Sequence, residues 1–244
     1  MEKTLDSAKG IAGKDPTLNR ATWAHVVPFA IWLFAMQMLG DPAGWKYAVR
    51  TGLCAGLFLW LHPWTGYPAL KIRNLPLAFA VGVAVFIAWI GMQTEWMGMR
   101  APALQDLYLR YAVFPWGRLP DPLKTFPYAP EICGWPLALV RLAGSAFVIA
   151  VIEEFFWRGF LYRWMLGRDF RAVDPGRFDL WPFLLTAVVF GGEHTEWMAG
   201  ILAGLAYGWL YLRTRDIWAV VFAHITTNFI LGWYVLATGA YQYW

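Results

Sequence analysis

The stretch PLALVRLAGSAFVIAVI at residues 136–152, followed directly by EEFFWR at 153–158, decides the class of fold. Its first part is apolar with Arg141 as the single charge, as in a helix that crosses a membrane. A carboxylate at the centre of a bilayer costs at least about 2.5 kcal/mol. Glu153 and Glu154 therefore predict a functional site that faces the interior of a bundle of membrane helices.

The composition of the whole chain also indicates a membrane protein. Of its 244 residues, 59% are hydrophobic and only 15% are charged, whereas soluble domains carry about 25% charged residues. Its 17 tryptophans fit the aromatic belts found at membrane surfaces. The net charge of +4 comes from lysines and arginines between apolar segments, so we expect the lipid bilayer, and not nucleic acid, as their partner.

Apolar segments separated by polar loops predict an all-α, polytopic membrane bundle of about seven transmembrane helices. The segments are 21–39, 47–61, 76–92, 136–166, 180–194, 198–212 and 217–238. Residues 1–20 are predicted to form a cytoplasmic tail and residues 21–244 a single membrane-embedded domain. Within the polar loop 93–135, the spacing of leucine and tyrosine predicts a short interfacial helix from Ala103 to Val113.

The distribution of positive charge predicts the orientation. With a cytoplasmic N-terminus, thirteen lysines and arginines fall in cytoplasmic pieces and five fall on the opposite side. Positive charge is enriched in cytoplasmic loops, which favours this orientation. Arg141 receives no catalytic part, and we expect a lipid headgroup or a carboxylate as its partner.

The two glutamates are predicted to do different work. Glu154 and Arg158 stand at i and i+4 with the acid first, an order that favours an ion pair along one helix. Glu153 points about 100° away around the same helix. Arg158 can therefore neutralise Glu154, which leaves Glu153 to face a cavity as a general base.

Two further motifs place polar residues in later apolar segments. Phe190 and His194 stand at i and i+4, as do His224 and Asn228. Imidazole can bind metal or transfer protons, and a carboxamide can donate a hydrogen bond to an oxyanion. Glu153 with His194 and His224 would suit a water-activating site, either with a divalent metal such as zinc or without one.

The ordered motifs Glu-Glu-x-x-x-Arg, Phe-x-x-x-His and His-x-x-x-Asn are similar to those of the CPBP family of intramembrane proteases. This family includes type II CAAX prenyl endopeptidases and bacteriocin-processing or immunity proteins. The resemblance covers residues 136–244. The sequence around Trp157 and the terminal residues Tyr243 and Trp244 also look like the CAAX-protease-related branch associated with bacterial exosortase systems.

The resemblance implies an endopeptidase of the bacterial inner membrane that cleaves a membrane-anchored or lipidated peptide or protein. Its catalytic residues would be Glu153, His194, His224 and Asn228. Glu154, Arg158 and Phe190 would support them. The resemblance leaves open whether Glu153, His194 and His224 bind a metal or whether Glu153 acts without one.

Two other classes of protein remain as alternatives. A proton- or ion-coupled transporter could relay protons through buried glutamate and histidine. Such transporters are built from repeated halves with broken helices, and no internal repeat is visible here. A non-catalytic membrane scaffold or immunity protein could retain the same residues for packing alone.

Overall fold

A computed structural model describes residues 15–120 and 125–244 of the chain. Within these residues the regular structure is helical and no β-strand occurs, which confirms the predicted all-α class. The longer helices, labelled in chain order, are α1 Pro16–Met38, α2 Gly44–Leu61, α3 Leu75–Gly91, α4 Glu95–Arg100, α5 Pro102–Tyr111, α6 Trp135–Leu166, α7 Leu180–Gly192, α8 Trp197–Thr214 and α9 Ile217–Thr238. Single helical turns occur at Pro63–Gly66, Ile72–Asn74, Pro130–Cys133, Phe170–Ala172 and Tyr241–Tyr243.

The described helices support an integral membrane protein. Each of the predicted apolar segments lies on one of the helices, except for the last one or two residues of the segments 21–39, 76–92 and 180–194. In the described ranges, four helical stretches are long and apolar enough to cross a membrane: Pro16–Met38, Ile72–Gly91, Trp135–Leu166 and Ile217–Thr238. Helices α2, α7 and α8 are not among these four, so the count of seven spans stays a prediction.

Helix α1 begins inside the predicted N-terminal tail. Its first residue is Pro16, so residues 16–20 are helical, and the boundary between tail and membrane domain at residue 20 stays a prediction. The helix begins there because of a strong local start signal: the Asp15 side chain accepts a hydrogen bond from the Thr17 backbone N–H at 2.9 Å, and proline occupies the first helical position. The rest of the predicted tail, residues 1–14, lies outside the described residues.

The polar loop contains the predicted short helix, now seen as α5, Pro102–Tyr111. The loop is also attached to the bundle after α5. The backbone N–H of Phe114 donates to the Thr195 carbonyl at 2.9 Å, and that of Met198 donates to the Ala112 carbonyl at 3.3 Å. These bonds fix the loop against the turn that carries His194.

Helix α6 runs through the bundle and is not uniformly α-helical. Two of its stretches, Gly144–Ile149 and Phe155–Leu161, have π-helical hydrogen bonding, and they flank the α-helical piece Ala150–Glu154. π-helical turns are rare and occur often at functional sites. Their wider turns change the direction of the side chains that follow, so they help to set where Glu153 and Glu154 point.

Small residues allow the helices to approach closely. Helix α9 packs along α3, and a Cβ atom on Gly82 would lie 2.5 Å from the Ala223 carbonyl oxygen and 2.8 Å from the Thr226 Cβ. Helices α7 and α8 meet in the same way, because a Cβ on Gly204 would lie 2.8 Å from the Ala187 Cα. Such small-residue contacts are typical of helix packing in membranes.

The contact at Gly82 gives a direct test of this packing. We expect Gly82→Ala to lower the free energy of unfolding by about 1–3 kcal/mol, because the added methyl group has no space. Gly56→Ala is the matched control, since a Cβ there meets nothing within 4 Å and alanine favours the helix. Thermal unfolding of the purified proteins in detergent measures both, and equal melting temperatures for the two variants would contradict the packing of α3 on α9.

Candidate active site

A cavity of about 290 Å³ lies among the helices and is lined by most of the predicted site residues. Its wall includes Glu153 of α6, His194 of the turn after α7, and His224 and Asn228 of α9. Phe190 also lines it, whereas Glu154 and Arg158 do not. The structure therefore separates the predicted residues into a group that faces the cavity and a pair that lies behind it.

The pair behind the cavity is a buried ion pair. The Arg158 Nη1 donates to Glu154 Oε1 at 3.1 Å, as predicted, and its Nη2 donates to the Gly204 carbonyl of α8 at 3.0 Å. The two side chains are 2% and 0% exposed, respectively. The same Glu154 oxygen lies 2.8 Å from Nδ1 of His224 on α9. One carboxylate thus ties α6 to α9, and its arginine partner ties α6 to α8.

This contact sets the orientation of His224. An ionised carboxylate only accepts hydrogen bonds, so the Nδ1 of His224 carries the proton and donates it to Glu154. In the neutral ring Nε2 is then a bare acceptor, and it lies 3.9 Å from Glu153 Oε2. That distance is too long for a direct hydrogen bond and leaves both atoms free to contact a third group in the cavity.

A hydrogen bond from Nδ1 also sets the orientation of His194, and here the partner is a backbone carbonyl. Its Nδ1 lies 2.8 Å from the Phe190 carbonyl oxygen, so Nδ1–H donates and Nε2 remains free. The Trp89 ring packs edge-on against His194, with centroids 5.1 Å apart. Helix α7 ends at Gly192, two residues before His194, so the histidine lies in a turn and not in the last turn of the helix.

Asn228 shares the cavity, but one of its donors is already in use. Its Nδ2 donates to the carbonyl oxygen of Ser145 at 3.0 Å, and Ser145 lies in the first π-helical stretch of α6. A carboxamide nitrogen carries two N–H donors, so one remains available. The bond fixes the amide between α6 and α9.

Glu153, His194 and His224 are side chains of the types that bind zinc, but they do not lie close enough together to hold one ion. Both histidines have Nδ1 engaged by an acceptor and Nε2 free, an arrangement typical of metal-binding histidines. Among the described residues, however, no group of three or more His, Cys, Asp or Glu side chains is close enough to hold a metal ion. Glu153, His194 and His224 therefore do not converge on one point, and metal dependence stays a prediction.

The structure adds residues that the sequence did not single out. Tyr207 of α8 stacks on His224 with ring centroids 4.9 Å apart, and its hydroxyl donates to Thr227 Oγ1 at 2.7 Å. Glu193 and Arg50 also line the cavity. The chain has 11 tyrosines, and nothing in the sequence distinguished Tyr207 from the others.

Comparison with known proteins agrees with the motif resemblance. Residues 135–230 match the family model described as Type II CAAX prenyl endopeptidase Rce1-like. The matched part is less than half of the chain, and it contains α6, α7, α8 and the first part of α9 with every predicted site residue. The match confirms the suspected family resemblance and supports a membrane-embedded endopeptidase. No curated protein and no solved structure matches the sequence.

The ion pair behind the cavity can be tested by its effect on stability. We expect Arg158→Gln to destabilise the fold by about 3–5 kcal/mol, because it leaves the Glu154 charge buried with only a histidine as partner. Arg110→Gln is the control: Arg110 pairs with Asp106 on α5, where the side chains are 39% and 48% exposed, and we expect little change there. Thermal unfolding in detergent is the measurement, and similar melting temperatures for both variants would show that the buried pair is not needed.

Proposed function

We propose that this protein is an intramembrane endopeptidase that hydrolyses a peptide bond of a membrane-anchored or lipidated protein or peptide. The observation that supports the proposal most strongly is the different surroundings of the adjacent glutamates. Glu154 is fixed by Arg158 and His224, whereas Glu153 lines the cavity beside the free Nε2 of His224. A carboxylate that faces a cavity without a cationic partner is suited to be a general base.

In the proposed reaction, Glu153 takes a proton from a water molecule as the water oxygen attacks the carbonyl carbon of the substrate. Nε2 of His224 is close enough to Glu153 for one water molecule to contact both, so the histidine positions the nucleophile. The carbon–nitrogen bond then breaks, and Glu153 returns the proton to the leaving amine. The same carboxyl group thus acts first as base and then as acid.

The negative oxygen of the tetrahedral intermediate needs a hydrogen-bond donor. A neutral imidazole that donates through Nδ1 has a bare Nε2, so in this tautomer neither His194 nor His224 donates through Nε2. Asn228 has one N–H left after its bond to Ser145, and we assign it the role of oxyanion donor. His194 would complete the polar wall as an acceptor for water or for the substrate backbone.

The proposed location is the bacterial inner membrane with a cytoplasmic N-terminus. The charge asymmetry between the loops supports this orientation. An active carboxylate buried in membrane helices is also consistent with a substrate that is itself held in the bilayer by a lipid or an apolar segment.

The proposal is tested with Glu153→Gln, since glutamine keeps the shape of the side chain but cannot accept the proton. The probe is a pool of S-prenylated peptides with randomised residues after the modified cysteine, and products are identified by mass spectrometry. We expect the rate of cleavage to fall at least about 100-fold. Glu131→Gln, at an exposed glutamate outside the cavity, should cleave like the unaltered protein. Equal rates for Glu153→Gln and the unaltered protein would refute the assignment of the base.

Removal of divalent metal with a chelator tests whether the proposed cleavage depends on a bound metal ion. Because the three donor side chains do not converge, we expect cleavage to persist after dialysis against 1,10-phenanthroline. Loss of cleavage that added zinc restores would instead show that Glu153, His194 and His224 move together around a metal ion.

A further inference from the structure

Two arginines inside the bundle have no anionic partner among the residues that the structure describes. Arg50 of α2 and Arg141 of α6 line the cavity that contains Glu153. Within residues 15–120 and 125–244, no carboxylate forms an ion pair with either of them, in contrast to Arg158 and Arg110. The carboxylate predicted as one possible partner of Arg141 is therefore absent from the described residues.

Aromatic rings surround both guanidinium groups. The Cζ of Arg50 lies 3.9 Å from the centroid of the Trp32 ring. The buried ring of Tyr47 contacts both cations, with its centroid 5.1 Å from the Cζ of Arg50 and 4.4 Å from the Cζ of Arg141. Tyr128, from the segment before α6, lies 5.2 Å from Arg141. Such contacts hold a guanidinium in place but supply no counter-charge.

Most hydrogen-bond donors of the two arginines are unused. A guanidinium has five N–H donors. To the described residues, Arg50 donates none, and Arg141 donates one, from Nη1 to the Tyr47 hydroxyl at 3.2 Å. The Nε of each is buried and has no hydrogen-bond partner in the described part of the chain. Two like charges in one partly enclosed site, with free donors, form a place for an anion that accepts several hydrogen bonds at once.

The arginines also lie at the junction of two cavities. A second cavity of about 540 Å³ shares Arg50, Arg141 and Tyr47 with the first and extends between the turn after α1 and the segment 125–128. Asp41 also lines this second cavity, and within the described residues no ion pair joins it to either arginine. Both cavities thus border the same two guanidinium groups, and one of the cavities also contains Glu153.

We propose that Arg50 and Arg141 form a subsite that binds a carboxylate of the peptide substrate. This inference rests on the proposed function, since it concerns the same cavity. The fork of a guanidinium matches the two oxygens of a carboxylate, and two forks can hold one such group. Arg141 precedes Glu153 by twelve positions on α6, which is at most about 18 Å along the helix, since the π-helical stretch Gly144–Ile149 between them rises less per residue than an α-helix. The carboxylate therefore lies within about five extended residues of the bond that is cleaved.

The test compares matched peptides in the full-length protein reconstituted in phosphatidylcholine nanodiscs. The same S-prenylated pool is prepared with a C-terminal carboxylate and with a C-terminal carboxamide. We expect the carboxamide to raise KM about 10- to 100-fold at nearly constant kcat. Arg50→Gln and Arg141→Gln should raise KM for the carboxylate and abolish the difference between the two pools. The lysine variants, which keep the charge but lose the fork, should retain part of the preference. Arg73→Gln, at an exposed arginine outside both cavities, is the control.

The outcomes separate the possible sources of the anion. A preference that follows acidic side chains near the cleaved bond, and not the terminus, would support the subsite with a side-chain carboxylate as its ligand. An unchanged ratio of carboxylate to carboxamide cleavage in Arg50→Gln and Arg141→Gln, with no dependence on acidic side chains, would overturn the proposal. An effect of these variants that appears only in phosphatidylglycerol nanodiscs would overturn it in favour of a lipid phosphate.

A failure of the proposed function is recognised separately. If the unaltered protein cleaves neither pool, the peptidase assignment fails, and binding decides the role of the arginines. Fluorescence anisotropy then measures the affinity of the labelled pools for Glu153→Gln with and without Arg141→Gln. Tighter binding of the carboxylate pool that Arg141→Gln removes would support the subsite, and equal binding of both pools would refute it.

Discussion

The shared carboxylate of Glu154 is the interaction on which the rest of the site depends. It is fully buried and accepts hydrogen bonds from Arg158 on its own helix and from His224 on α9. In a low-dielectric interior the loss of either partner is costly, so the three groups stay together. Because Arg158 also donates to the Gly204 carbonyl, this one charge holds α6, α8 and α9 in a fixed relation.

This arrangement of the three helices leaves the carboxylate of Glu153 without an ion pair to Arg158. Successive residues on a helix point about 100° apart, so the contacts that bury Glu154 turn Glu153 away from the arginine and into the cavity. The same carboxylate sets the tautomer of His224 and leaves Nε2 facing Glu153. Structural support and proposed chemistry are thereby divided between adjacent residues, and the π-helical stretches on either side of them adjust their direction.

The cavity is lined by both acidic and basic side chains. Its wall includes the carboxylates of Glu153, Glu193 and Glu196 and the guanidinium groups of Arg50 and Arg141. The arginines differ from Arg158 in one respect: Arg158 is neutralised inside the protein, whereas they contact mainly aromatic rings. A peptide substrate would use both sets of charges: its scissile bond would lie at Glu153, and its carboxylate would bind Arg50 and Arg141.

The sequence by itself determined the helical membrane class, the long fourth apolar segment and the pairing of Glu154 with Arg158, because these follow from hydropathy and from spacing along one helix. Contacts between helices could not be predicted in this way, because they depend on which faces of the helices meet. Examples are the 2.8 Å contact of His224 with Glu154 and the hydrogen bond of Asn228 to the Ser145 carbonyl. The π-helical turns of α6 were not predicted either. The spacing of the metal donors and the aromatic surroundings of Arg50 and Arg141 likewise emerged only from the tertiary structure. The physical reason is that periodicity orders side chains around one helix axis, whereas only packing brings separate axes together.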